Sequence, residues 1–397
     1  MNSRFSLILL GFCAAVVSLA QNLYVPLLPQ LQEDLHTTFY LVNLTVSLFT
    51  IALAVMQVVL GPLIDLKGRK TILLPGMALY AVASIGCVFA TSVTVLLIFR
   101  ILQGIGAAAV PLVAATMIGD MYEGKERAKN MATYQMILGI APAVGPLIGG
   151  FIGSQTGYPG AFLFLSVSAC LMFILAATVL PETKISQSGA SRRTFTLKSM
   201  TSIFSNKTGA AVLLVGFVLY YMFYNFIVFL PDLLTHRYQL DAREIGWVFL
   251  MLMSFSFVGS KLSGKLQARM GTVPSLILTC LLALASLASF ILLAENSLFG
   301  LLAALAAVGF TAGLTMSVPP TLLTEEFVEG RATAIGLYNF IRYLGMAAAP
   351  LVGSLLYETG GTVLMFGCTA LLMGLATLSA HRLLRSAATG HAKLKRA

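Results

Sequence analysis

The stretch Gly61-Pro-Leu-Ile-Asp65-Leu-Lys67-Gly68-Arg69-Lys70 joins two apolar runs and decides how the rest of the chain is interpreted. Its first glycine, Gly61, allows two helices to approach each other closely. Asp65 and Arg69 are spaced to pair with each other or with neighbouring helix ends. Asp120 and Glu123, at the end of a later apolar run, could complete a charge network. Such a network would form in one conformation only. A plain basic loop that sets membrane orientation is the alternative, but the order of glycines and charges is more specific than orientation requires.

The apolar composition of the chain excludes a soluble protein. Of its 397 residues, 58% are hydrophobic and 10% are charged, and the mean hydropathy is +0.90. A soluble domain carries about 25% charged residues, whereas a membrane span needs about 20 apolar residues. Polar breaks therefore predict an all-α membrane protein of twelve transmembrane helices with short loops and little room for a soluble catalytic domain. The predicted spans are 5–31, 39–62, 71–91, 93–119, 129–154, 159–180, 209–231, 244–262, 273–294, 297–321, 332–357 and 361–381.

The basic residues predict the orientation of the chain in the membrane. With the N-terminus inside the cell, every lysine and arginine falls on the cytoplasmic side except Arg237 and Arg243, which lie outside, and Arg100 and Arg342, which lie within spans. This distribution follows the positive-inside rule. The net charge of +10 therefore needs no nucleic-acid partner to explain it. We expect a monomeric, multi-pass protein of the cytoplasmic (inner) membrane with both termini in the cytoplasm.

The chain divides into two related halves. We predict an N-terminal six-helix bundle over 1–180, a cytoplasmic central loop over 181–208, and a C-terminal six-helix bundle with a basic cytoplasmic tail over 209–397. Placing Arg127 on Arg331 also aligns Tyr134 with Tyr338, Pro146 with Pro350 and Gly149 with Gly353 without a gap. Chance matching of apolar helices is the alternative. Parallel repeats with a site at their midplane are the arrangement that transporters use for alternating access.

At this point the chain resembles the major facilitator superfamily, whose hallmark loop has the order Gly-x-Leu-x-Asp-x-x-Gly-Arg-Lys. Two further stretches narrow the resemblance to its twelve-helix drug:proton antiporter branch. One begins Arg100-Ile-Leu-Gln103-Gly104, and the other is Gly145-Pro146-Leu-Ile-Gly149-Gly150, preceded by Gly139. The resemblance implies a fold of two pseudo-symmetric six-helix bundles and a bacterial exporter of drugs or metabolites. It also ties Arg100 and Gln103 to proton transfer.

The second of these stretches, which we call the antiporter motif, has a physical interpretation of its own. Gly145, Gly149 and Gly153 share one helix face, so a neighbouring backbone can pack closely against it. Pro146 removes a helix hydrogen bond and permits a bend. A bendable, tightly packed helix beside a cavity can seal or open one gate. Ordinary packing of small residues is the alternative.

The fixed charge inside the predicted spans is positive. A charge at the centre of a span costs at least about 2.5–3.5 kcal/mol, so Arg100 and Arg342 should face a cavity rather than lipid. A structural anchor is the alternative for Arg100, and pairing with a carbonyl or a helix dipole is the alternative for Arg342. All fifteen acidic residues fall at span ends or in loops, and Asn22 stands where many relatives have Asp. We therefore expect the cavity to disfavour organic cations and to suit anionic, zwitterionic or neutral amphipathic solutes.

Three acidic residues are candidates for the group that carries the proton: Asp65, Asp120 and Asp232.

Other polar and aromatic residues are candidates for the substrate cavity, where they would offer stacking and hydrogen bonds. Interfacial anchoring is the alternative for the aromatic ones. Besides Asn22 and Arg342, the candidates are Tyr24, Gln57, Tyr134, Gln135, Tyr220, Tyr221, Tyr224, Asn225, Tyr338 and Asn339.

The leading interpretation is a proton-coupled antiporter that exports small amphipathic molecules by alternating access. The alternative is a dedicated exporter of an anionic or zwitterionic metabolite, such as a siderophore-like metallophore; the antiporter motif argues against an uptake symporter. An enzyme is not expected, because the sequence contains no HExxH, nucleophile elbow or Walker motif. The five cysteines and four histidines lack metal-ligand spacing. No metal or cofactor is expected, and the partners are protons, a small-molecule substrate and the lipid bilayer.

Overall fold

A computed structural model of the chain describes residues 3–183, 197–294, 296–327 and 331–394, and the regular structure in these ranges is entirely helical. Side chains are described throughout these ranges except at 3, 62, 65, 124, 125, 128, 132, 139, 197–200, 331, 332 and 387–394. One short 3-10 turn, Val25–Leu27, follows the first helix. The helices are α1 Ser3–Asn22, α2 Leu28–Asp34, α3 Phe39–Lys67, α4 Arg69–Val88, α5 Val93–Met121, α6 Gly124–Val179, α7 Leu197–Ser205, α8 Lys207–Tyr238, α9 Ala242–Met270, α10 Thr272–Leu293, α11 Leu298–Met316, α12 Val318–Glu326 and α13 Arg331–Leu394.

Two of these helices are each long enough to cross a membrane twice. Helix α6 has 56 residues and α13 has 64, and both contain a non-helical break. The break in α6 is at Gly157 (φ 69°), and the break in α13 is at Gly360 and Gly361 (φ 63° at the latter). Positive φ values cost glycine nothing, whereas a residue with a Cβ would be strained there. The breaks fall between predicted spans, after 154 and after 357, so the ten membrane-length helices found in the described residues correspond to the predicted twelve spans.

The outer surface of the helices is apolar. Large side chains such as Phe89, Leu292 and Phe299 are 71–82% exposed. A soluble monomer rarely exposes extensive apolar surface, whereas lipid tails solvate such side chains well. Exposure and helix length together confirm the prediction of an all-α, multi-pass membrane protein.

Contacts divide the chain into two compact units. The first comprises Met1–Thr194 and Leu230–Leu250, and the second comprises Phe195–Phe229 and Met251–Ala397. The predicted partition into 1–180, 181–208 and 209–397 differs in one segment, because 230–250 groups with the first unit although it follows the central loop. Of that loop, residues 184–196 lie outside the described residues, as do residues 395–397 of the basic tail.

The two units repeat local features at the offset that the sequence predicts. Tyr134 on α6 and Tyr338 on α13 are each 1% exposed, and each helix breaks about two dozen residues later at a glycine. Arg127 and Arg331 cannot be compared, since the side chain of Arg331 lies outside the described part of the chain.

Candidate functional site

The loop between α3 and α4 holds an ion pair. Helix α3 ends at Lys67 and α4 begins at Arg69, with Gly68 (φ 107°) between them. The Arg69 guanidinium donates from Nε to Asp120 Oδ2 at 2.7 Å and from Nη2 to Oδ1 at 3.4 Å. The two side chains are only 12% and 16% exposed. Two parallel hydrogen bonds to one carboxylate fix geometry as well as charge, so the start of α4 is tied to the end of α5.

The expected charge network also includes a residue that sequence reasoning missed. Glu182, just beyond the end of α6, accepts hydrogen bonds from the backbone amides of Arg69 at 2.9 Å and Lys70 at 3.0 Å. Its carboxylate thus caps the N-terminus of α4, where free amides and the helix dipole favour negative charge. Thr183 donates to Asp120 Oδ2 at 3.1 Å, so α4, α5 and the end of α6 meet at one cluster. Of the other predicted members, Glu123 is exposed, and the side chain of Asp65 lies outside the described residues. The prediction of a close helix approach at Gly61 is wrong, because a Cβ there would meet nothing within 4 Å in the described part of the chain.

In the first unit, Arg100 is completely buried and is held largely by oxygen atoms of the backbone. Its Nη1 donates to the carbonyl of Ala20 at 3.2 Å, and its Nε donates to the carbonyl of Thr45 at 3.3 Å. Nη1 also donates to Gln103 Oε1, whose amide in turn donates to Ser84 Oγ at 2.7 Å. Nη2 is buried without a partner. Gln103 is thus a direct partner of Arg100, and the completely buried guanidinium does not face lipid.

Two aromatic rings enclose the same guanidinium. Its central carbon lies 4.6 Å from the ring centre of Tyr24 and 4.2 Å from that of Phe49. The Tyr24 hydroxyl is hydrogen-bonded to Thr45 Oγ1 at 2.9 Å. Cation–π contacts of this kind contribute about 2 kcal/mol when they are shielded from water. No carboxylate pairs with Arg100 within the described ranges, so rings and carbonyl oxygens replace a counter-ion.

In the second unit, Arg342 on α13 has a sparser environment. Its Nη1 donates to the hydroxyl of Tyr220 at 3.2 Å, and its Nε is buried without a partner. The ring centres of Tyr220 and Tyr343 lie 5.3 and 5.0 Å from the guanidinium carbon. Tyr338, one helical turn earlier, is buried, and its hydroxyl has no partner.

A second polar group lies on α8 in the same unit. Asn225 is completely buried; its amide nitrogen donates to Thr369 Oγ1 at 3.0 Å, and its amide oxygen has no partner. The buried hydroxyl of Tyr221 is also without a partner. The second unit therefore contains several buried donors and acceptors that the described protein leaves available.

The antiporter motif packs against backbone on two sides of α6. A Cβ atom on Gly149 would lie 1.5 Å from the carbonyl oxygen of Leu23, and one on Gly150 would lie 2.1 Å from that of Ala242. Real side chains do not approach so closely, so only glycine fits at these two positions. The close packing that the spacing predicts is thus present on the face toward Leu23, and a second close contact, which the sequence did not indicate, lies toward the start of α9.

The whole length of the chain matches one family. The profile described as Major Facilitator Superfamily matches residues 10–229 and again 212–396. The chain belongs to the Major Facilitator Superfamily. It is therefore a multi-pass membrane protein of a transporter family, as its resemblance implied.

Relatives within the superfamily carry names that refer to resistance or export. The chloramphenicol resistance protein of Pseudomonas aeruginosa is 26% identical over 381 residues, which is 92% of this chain and 88% of that protein. The bacillibactin exporter of Bacillus subtilis is 24% identical over 377 residues, 90% of this chain and 91% of that protein. Among solved structures, a bacterial homologue of the human lysosomal transporter Spinster, inward-facing and occupied, matches with a TM-score of 0.83 at 15% identity, covering 96% of this chain and 97% of its own. That likeness shows the fold.

The remaining predicted residues of this superfamily member lie in varied surroundings. Asn22 and Tyr224 are buried, and the amide oxygen of Asn22 has no partner. Tyr134 is buried and donates to the carbonyl of Pro111 at 3.2 Å, which is a structural contact. The others differ in burial: Gln57 and Asn339 are half-buried, and Gln135 is exposed. The surroundings of Gly139 lie outside the described residues.

Proposed function

We propose that this protein is a proton-coupled antiporter that exports small amphipathic molecules across the cytoplasmic membrane by alternating access. The observation that carries the proposal is the packing of the antiporter motif. Gly149 and Gly150 press α6 against two backbone carbonyls, those of Leu23 and Ala242. A helix packed so closely on two sides makes a tight seal, and a tight seal on one side of the membrane is what an exporter needs to prevent leakage.

The ion pair between Arg69 and Asp120 supports a conformational switch. Charged hydrogen bonds contribute about 1.5–3 kcal/mol each when they are shielded, and this pair is shielded at 12% and 16% exposure. An interaction of this strength, made in one conformation and broken in the other, shifts the balance between them about tenfold or more. Transport then requires an energy source that drives the cycle in one direction.

Proton movement into the cell is the proposed energy source, because it yields about 2.3 kcal/mol per 100 mV of membrane potential. We assign to Arg100 and Gln103 a positioning role in coupling, because a guanidinium stays protonated in proteins. The proton itself would be carried by a carboxylate. Asp120 is bound to Arg69, and Asp232 lies 3.1 Å from His236 Nδ1; both stay candidates, together with Asp65.

Transport in inverted membrane vesicles tests the proposal. Energised vesicles that contain the protein should accumulate a neutral amphipathic dye, and an ionophore that collapses the proton gradient should stop accumulation. Asp120→Asn should reduce accumulation at least about tenfold while the amount of protein stays unchanged. Glu358→Gln, the same chemical change at an exposed residue of α13, is the matched control. Accumulation that persists with ATP after the gradient has collapsed would contradict proton coupling.

A second candidate is a dedicated exporter of an anionic or zwitterionic metabolite, such as a siderophore-like metallophore. Two observations favour it: Arg100 and Arg342 have no carboxylate partner in the described part of the chain, and one relative is named a bacillibactin exporter. A panel of dyes and acids separates the two candidates. A broad exporter moves many unrelated compounds, whereas a dedicated one moves a single anion class and confers no resistance to cationic drugs.

A further inference from the structure

A cluster of one arginine and three tyrosines lies on α8 and α13 in the second unit. We call Arg342, Tyr220, Tyr338 and Tyr343 the tyrosine–arginine cluster. Tyr338 is one helical turn before Arg342, so their side chains share one face of α13. Tyr220 reaches the same guanidinium from α8 through its hydroxyl at 3.2 Å. The cluster combines one fixed positive charge with three phenol groups.

The positive charge of this cluster is not compensated by the protein. A guanidinium stays protonated in proteins and carries five N–H donors. Arg342 donates from Nη1 to the hydroxyl of Tyr220, and its Nε is buried with no partner. No carboxylate pairs with it among the side chains that the structure describes. Arg342 is half-buried, and its Nε is shielded from solvent. A shielded charge without a counter-ion is costly unless something supplies one, so a bound anion would complete the site.

The aromatic groups define what else the ligand must offer. The rings of Tyr220 and Tyr343 lie 5.3 and 5.0 Å from the guanidinium carbon, as flat walls beside the charge. Aromatic rings prefer to pack against other rings in offset or edge-to-face geometry. The hydroxyl of Tyr338, a residue at 1% exposure one helical turn from Arg342, is an additional buried donor without a partner. Charge, rings and hydroxyl together match a flat aromatic molecule with an acidic group.

We propose that the tyrosine–arginine cluster is a substrate subsite for small aromatic carboxylates. The two carboxylate oxygens would accept from the Nε–H and an Nη–H of Arg342 in a bidentate pair, and the aromatic ring would pack against Tyr220 and Tyr343. This assignment rests on the proposed function, because it names the substrate class of the exporter. It also distinguishes Arg342, which donates to one acceptor, from Arg100, which donates to Ala20, Thr45 and Gln103 through Nε and Nη1 and leaves only Nη2 without a partner.

Calorimetric binding to the purified full-length chain tests this assignment with three probes of the same shape. The probes are 2-naphthoate, neutral 2-naphthalenemethanol and cationic 2-naphthylmethylammonium, and wild-type protein should bind the naphthoate most tightly. Arg342→Gln should weaken naphthoate binding at least about tenfold, because a charged hydrogen-bonded pair is lost, and should leave binding of the neutral alcohol almost unchanged. Arg342→Lys should bind naphthoate more weakly than wild type and more tightly than Arg342→Gln, since an ammonium keeps the charge but cannot form the bidentate fork. The matched control is Arg382→Gln, at an exposed arginine of the same helix, which should bind like wild type.

A second, milder variant serves as a control for loss of folding. Tyr338→Phe removes one hydroxyl and no volume, so it should weaken naphthoate binding a few-fold with an unchanged elution profile on size-exclusion chromatography. The assignment is overturned if wild type fails to bind naphthoate, if the cationic probe binds equally well, or if Arg342→Gln binds naphthoate like wild type. It is also overturned for aromatic acids if inorganic phosphate competes with naphthoate at equal concentration. The proposed export function is tested separately: if dye export is still observed and is sensitive to the ionophore, that function holds even where the subsite assignment fails.

Discussion

Arg100 and Arg342, the two arginines that lie within predicted membrane spans, show how the same residue type serves two purposes. Arg100, in the first unit, donates to two backbone carbonyls and one amide, and two rings lie within 4.6 Å of it. Arg342, in the second unit, donates to a single phenol and keeps a buried Nε free. The first charge is fixed in place by the fold, whereas the second is available for a ligand. The two side chains differ in burial, since Arg100 is completely buried and Arg342 is half-buried, and in the number of acceptors, which is three for Arg100 and one for Arg342.

The largest expected effect is a difference in folding stability between variants of Arg100 and of Arg342. Arg100→Gln leaves the carbonyls of Ala20 and Thr45 without their donor, and breaking a buried charged network costs about 3–5 kcal/mol. Arg342→Gln removes an uncompensated charge and should leave stability unchanged or raised. Thermal melts of the two purified variants check this. Equal melting temperatures for both would remove the distinction between a fixed and an available charge.

The next largest effect compares two glycines at the same offset in the two units. A Cβ on Gly149 meets the backbone carbonyl of Leu23 at 1.5 Å, whereas one on Gly353 meets side-chain atoms of Phe229 at 2.6 Å and Asn225 at 2.7 Å. Side chains can rotate and a packed backbone cannot, so Gly149→Ala should cost about 1–3 kcal/mol or more and most of the transport. Gly353→Ala should cost less in both.

The transport rates of Gly149→Ala and Gly353→Ala, normalised to protein amount, test this difference between the two glycines. Gly264→Ala, where a Cβ meets nothing within 4 Å, is the control and should behave like wild type. If Gly149→Ala transports at the wild-type rate, the close packing of the antiporter motif is not needed for sealing.

The smallest expected difference concerns corresponding loops. In the first unit Arg69 pairs with Asp120 at 2.7 Å; in the second, Thr272 donates to Glu325 at 2.7 Å from the matching position after Gly271. The second contact is exposed and has one charge instead of two, so it is the weaker tie. Thr272→Val should lower transport two- to threefold at most, against about tenfold or more for Arg69→Gln. Equal losses in a vesicle assay would show that both loops act as gates of the same strength.

Much of the fold was predictable because glycine, proline and charge positions are explicit in the sequence. The breaks at Gly157 and Gly361 fall between predicted spans. Arg100 and Gln103, which contact each other, are three residues apart on one helix, a spacing that places them on the same face. Glu182 was missed because its role depends on where the end of α6 lies in space, next to the start of α4. No sequence pattern relates Glu182 to Arg69, because the two residues are far apart along the chain.

The partners of the two arginines could not be predicted from the sequence either. Arg100 is held by carbonyl oxygens, which every residue possesses, so no sequence pattern marks Ala20 or Thr45 as its partners. Tyr343 was also missed, although it follows Arg342 directly. In the loop after α9, Thr272 donates a hydrogen bond to Glu325, whereas the corresponding loop after α3 holds an ion pair.

Uptake of labelled 2-naphthoate into energised inverted vesicles tests the central claim, that a proton-driven exporter presents the charge of Arg342 to its substrate. We expect uptake above that of vesicles lacking the protein, its loss when an ionophore collapses the proton gradient, and its loss in Arg342→Gln but not in Arg382→Gln. Uptake of 2-naphthylmethylammonium equal to that of naphthoate, in both wild type and Arg342→Gln, would contradict it.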